Sequence, residues 1–153
     1  MQPTSPHPSA FITHLECTEL EVQPWRDPVV ETRGYNIADP YVEMFWLPVL
    51  GPTATWLARR LASGLELQPD GYTLDMQDLA RSIGVSYTHG KHNPFARAIH
   101  RCIMFGVAQQ ISVLPHTTLA VRQILPALPI RHLNKLPEQL RIAHHDWTLS
   151  TSP

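Results

Sequence analysis

Fifteen prolines are spread through the 153 residues of this chain. Proline fixes its own φ, donates no backbone N–H and breaks a helix anywhere past the first turn. A chain punctuated this often is expected to fold as many short elements joined by fixed turns, not as a few long helices. Where proline follows a capping or breaking residue it marks a helix start. Asp39-Pro40, Gly51-Pro52 and Asn93-Pro94 read this way, and Pro137 also sits at an expected helix start.

Apolar spacing fills in the elements between those marks. A helix through Tyr41, Met44 and Phe45 is expected to be interrupted near Pro48 and to restart at Gly51-Pro52. Over 54–65 it carries Trp56, Leu57, Leu61 and Leu65 on one side, with Arg59 and Arg60 on the other. Gly64 and the turn-forming run 68–71 end it. Tyr72-Thr73-Leu74 reads as extended, and Asp75 caps a helix over 76–83 whose apolar face is Met76, Leu79, Ala80 and Ile83. Gly84 falls where a left-handed residue closes a helix, and Val85 turns back to the core. From Pro94 onward Phe95, Ala98, Ile99, Cys102, Ile103 and Gly106 form a buried stripe, with Arg97, His100, Arg101 and Met104 away from it. The period then changes. Residues 108–114 and 118–125 are rich in β-branched side chains and predict a hairpin turning at Pro115-His116. A last stripe of Leu133, Leu136, Leu140, Ala143 and Trp147 predicts a C-terminal helix that covers the core or pairs with a second copy.

Residues 1–9, with three prolines and little apolar material, read as a disordered tail. Residues 10–38 read as an extended acidic segment packed on the core, and 39–150 as one domain. Net charge is −1, which taken alone disfavours a nucleic-acid partner. The distribution is uneven, however. Residues 1–80 hold four arginines against eleven carboxylates, while 81–141 hold eight Lys or Arg against Glu138 alone. Such a split points to a basic binding face beside an acidic region. The plain alternative is that the two halves neutralise each other by packing together.

The string TLDMQDLARSIGVS, with Leu79, Ala80, Gly84, Val85 and Ser86 in a Leu-Ala-x-x-x-Gly-Val-Ser pattern, resembles the first helix and tight turn of the winged helix-turn-helix superfamily, as found in bacteria. The resemblance implies an α+β fold, mainly α with a small β-hairpin, with an N-terminal extension and a C-terminal helix. It implies that helix 94–106 is a recognition helix lying in the major groove of duplex DNA, and that 108–125 is the wing. Arg97 and Arg101, with His100 beside them, then face base edges, arginine being suited to bidentate reading of guanine. His116 and Thr117 near the hairpin tip, and Arg122 on its return strand, would reach phosphates or the minor groove. The chain departs from the family in its longer inter-helix loop. Lys91, His92 and Asn93 stand there before a helix N-terminus, where amide groups and the dipole favour anions. A phosphate clamp and an idle exposed loop both fit that segment. Two arginines on a solvated helix face remain the plain reading of Arg97 and Arg101.

The expected role is thus DNA binding in a small cytoplasmic transcriptional regulator, and the resemblance implies a homodimer, for which the C-terminal helix is the expected surface. The alternative is a winged-helix module for protein–protein assembly without DNA, which the isoelectric point of about 6.7 suits better. In a third reading the acidic N-terminal segment masks the basic face. No metal or other cofactor is expected: His89, His92, His100 and Cys102 do not converge, because Cys102 belongs to the buried stripe, and His144 and His145 diverge. No phosphate-cradling glycine loop, nucleophile elbow or HExxH is present, so no catalysis is expected. Cys17 and Cys102 read as reduced thiols. No apolar run approaches the ~18 residues of a membrane span, and residues 1–10 lack a signal peptide's pattern.

Overall fold

Side chains alternating with a period of two build the centre of this fold. In the computed structural model, which describes residues 19–87, 93–113 and 116–151, β1 (Glu19–Pro24) buries Leu20 and Val22 completely, while Glu21 and Gln23 take the opposite face. The expected tail 1–9, the segment 10–18, Lys91 and His92 lie outside the described residues. β1 runs antiparallel to β3 (Tyr72–Asp75), with Leu20 opposite Leu74, and parallel to β5 (Thr117–Val121), with Leu20 opposite Thr117. β4 (Ala108–Ser112) pairs antiparallel with β5, with a bulge between Gln110 and Ser112, giving the strand order β3-β1-β5-β4. The described part of the acidic segment therefore supplies an interior strand of the sheet.

β5 is shorter than the expected 118–125. It ends at Val121, and Ile124–Leu125 forms a separate strand, β6, paired with β2 (Tyr35–Asn36). Between β1 and β2 lies α1 (Pro28–Arg33), capped by Asp27, whose carboxylate accepts from the Val30 amide.

The helical layer begins where Asp39 accepts from the Tyr41 amide at 2.8 Å. The expected interruption near Pro48 takes the form of a π-helical stretch, Val42–Trp46, running into α2 (Leu47–Leu50). The wide turn stands immediately before Pro48, whose ring would crowd the Met44 carbonyl in a regular α-helix. After Gly51 the chain restarts as α3 (Pro52–Leu67), burying Ala54, Leu57, Ala58, Leu61 and Leu65. Gly64 stays bare because a Cβ there would collide with the Tyr72 ring, whose hydroxyl donates to the Leu61 carbonyl at 2.6 Å. α4 (Met76–Ser82) is capped by Asp75 and closed by Gly84 at φ +76, a conformation that favours glycine. α5 (Pro94–Met104) packs against α3 and β4. α6 (Ile130–Leu133) and α7 (Glu138–Thr151) follow.

The fold is mixed α and β, with helices predominating over small sheets. α7 lays its apolar stripe on the core: Trp147 and the buried His144 meet Tyr41 and Phe45 edge-on or tilted. The Tyr41 hydroxyl accepts from the Leu128 amide and lies 2.8 Å from His144 Nε2.

Candidate nucleic-acid interface

α5 owes its position to its own first residues. Asn93 caps it by accepting from the Phe95 amide at 3.0 Å, and Pro94 stands at the first helical position. Phe95, Ala96, Ala98, Ile99 and Cys102 are buried, leaving Arg97, Arg101 and Met104 exposed and His100 half-buried. Cys102 is part of the packing. Its thiol donates to the Ala54 carbonyl, and burial pushes its pKa up to about 12, so the sulfur stays protonated. Asn93 is itself only 2% exposed, so its side chain is a helix cap and not a surface donor.

The two arginines differ. Arg101 reaches back to the end of α2, its Nε donating to the Leu50 carbonyl at 2.8 Å and its Nη2 to the Val49 carbonyl at 2.6 Å. Two carbonyls left over at a helix C-terminus are natural acceptors for a cation. Its Nε edge is thereby occupied, and its guanidinium lies 5.5 Å from the Phe105 ring centre. The Arg97 side chain makes no hydrogen bond or ion pair among the described residues. It lines a cleft of about 310 Å³ with Leu50, Gly51, Thr53, Pro94 and Arg101.

The hairpin residues are committed elsewhere. His116 Nε2 lies 2.8 Å from Glu21 Oε2, and that contact, with help from Gln23 and Thr118, holds the Glu21 carboxyl below its ordinary pKa. Thr117 departs from its expected place near the tip: it is 1% exposed and opens β5, opposite Leu20. Arg122 donates to the Gly106 carbonyl and to Asp27, and its guanidinium stacks 3.7 Å from the Trp25 ring centre. The Arg122 hydrogen bond, followed by the Val30 amide, holds Asp27 below its usual value. Acids from the N-terminal segment thus contact both His116 and Arg122, while none of the described carboxylates pairs with α5.

No family model, curated protein or solved structure matches this chain. The surface must be read from its own chemistry.

Beyond Arg101 lies a second cleft, of about 320 Å³, that the sequence did not single out. Pro48, Val49, Phe105, His132 and Lys135 line it. His132 meets Phe105 edge-on at 5.2 Å, and its pKa is lowered by burial first, then by the charges of Arg131 and Lys135. Neither cleft has a carboxylate in its lining. The larger groove between α3, β3 and α4, about 540 Å³, differs, since Asp75 and Asp78 line it with Arg60. In the sequence Arg131 and Lys135 bracket His132, but no local pattern says which cleft these residues line. Among the described residues no three of His, Cys, Asp and Glu gather as a metal site, and no helix is long and apolar enough to cross a membrane.

Proposed function

We propose that the protein binds duplex DNA through α5, as a small winged-helix transcriptional regulator acting in the cytoplasm. One observation carries the proposal: the solvent face of α5 presents Arg97, His100 and Arg101 and has no acidic residue. An exposed, cation-bearing helix is the element that fits a major groove. The succession of α3, β3, α4, the Gly84 turn, α5 and the β4–β5 hairpin supports the winged-helix reading. It also differs from the expectation in having β1 between β3 and β5. Arg97 is the base-reading candidate, because the Nε edge of Arg101 is held by carbonyls.

A mobility-shift assay of the full chain on mixed-sequence and genomic duplexes tests this. Arg97→Ala is expected to weaken binding from about fivefold to about a hundredfold, as loss of a bidentate base contact does. Absence of any shift at low salt would sink the proposal.

The second reading, a protein-assembly module, is favoured by the internal contacts of the hairpin. His116 and Arg122 are held by Glu21 and Asp27, while Ile111 on the edge strand β4 is 51% exposed. Pairing of two copies through α7 belongs to either reading; Ile142 and Leu149 are the apolar residues that α7 leaves to solvent.

A further inference from the structure

We infer that the second contact with the phosphate backbone is made by Arg131 and Lys135, around α6, and not by the β4–β5 hairpin. This rests on the DNA reading above and assigns it a footprint. Arg101 is the link. It is anchored on the Val49 carbonyl, and Val49 lines the cleft that also holds Phe105, His132 and Lys135. Its other neighbours, Leu50 and Arg97, line the first cleft with it. A band of positive charge therefore runs from Arg97 through Arg101 to Lys135, with Arg131 exposed beside it and no carboxylate lining either cleft.

The hairpin offers the opposite. His116 is paired with Glu21, and Arg122 is held by Asp27, the Gly106 carbonyl and the Trp25 ring. A phosphate approaching Arg122 would have to compete with a carboxylate already in contact, and would be repelled by it. The Lys135 ammonium makes no ion pair among the described residues, so a phosphate would not have to displace a carboxylate there. Duplex DNA carries one charge per about 1.7 Å of axis, so a band of this kind meets several phosphates at once. Charge complementarity thus selects the backbone of the duplex that α5 enters as the occupant of this surface.

The test is fluorescence anisotropy of the full chain on one duplex between about 50 and 200 mM salt. Wild type is compared with Arg131→Ala/Lys135→Ala, His116→Ala and Arg97→Ala, each checked for an unchanged melting temperature. Each phosphate contact contributes about one unit to the slope of log affinity against log salt. The double variant is expected to lose about two units of slope and about tenfold or more in affinity, with His116→Ala keeping the wild-type slope. A double variant with an unchanged slope, whatever its affinity, overturns the inference, and if Arg97→Ala still weakens binding the DNA reading stands. A slope lowered by His116→Ala but not by the double variant returns the contact to the hairpin. Wild type that binds no duplex at the lowest salt overturns both, and an acidic protein then becomes the partner to seek.

Discussion

Tyr41 shows how much one buried hydroxyl can organise. Its oxygen accepts from the Leu128 amide and lies 2.8 Å from His144 Nε2, a pairing in which a neutral imidazole can take the Tyr41 proton. Burial lowers the His144 pKa from its ordinary 6.5, in keeping with that arrangement. The unfolded chain then binds a proton more readily than the folded one, so this contribution to stability is complete above pH 6.5 and lost as pH falls from there toward the folded-state pKa. His132, also lowered, acts in the same direction and window, whereas Glu21 and Asp27 act at lower pH, below the ordinary carboxylate values of 4.5 and 3.8. Melting followed across this range is expected to decline below pH 6.5 in the wild type, and less steeply in His144→Gln, which keeps an acceptor without the titration. An unaltered profile in that variant would show that His144 does not carry the effect.

Among the elements, β1 has the largest structural consequence. Leu20 is fully buried between two strands, so Leu20→Ala removes core volume in the middle of the sheet. Such truncations cost about 2–5 kcal/mol, against a total stability of about 5–15 kcal/mol for domains of this kind. Denaturant titration is expected to show a loss in that range, and a loss below about 1 kcal/mol would mean that β1 is a peripheral strand. This element was only partly legible beforehand. Glu-Leu-Glu-Val-Gln alternates, but a strand five or six residues long does not name its partners, and those lie beyond residues 70 and 115. The helices were easier because their signals are local: Asp75 caps an amide three residues on, and Asn93 one two residues on. Arg101 shows the limit of that locality. Its spacing on α5 put it correctly on the outside, but the carbonyls that occupy it are 51 and 52 residues away. The same holds for Arg122, whose exposed reading from the sequence gives way to contacts with Trp25 and Asp27.

At the scale of the whole molecule, the near-neutral net charge conceals two different arrangements. On the sheet side, N-terminal acids hold hairpin residues through Glu21–His116 and Asp27–Arg122. On the α5 and α6 side, Arg97, Arg101, Arg131 and Lys135 surround clefts without a carboxylate in their lining. The second arrangement is what makes a polyanion the favoured partner, and it moves the proposed footprint away from the hairpin. Titrating isotope-labelled protein with a duplex and following the backbone amides by NMR tests that account most directly. Shifts concentrated in residues 94–104 and 130–136, with β4 quiet, are the predicted result. Shifts centred on the exposed edge of β4, or none anywhere at low salt, would contradict it.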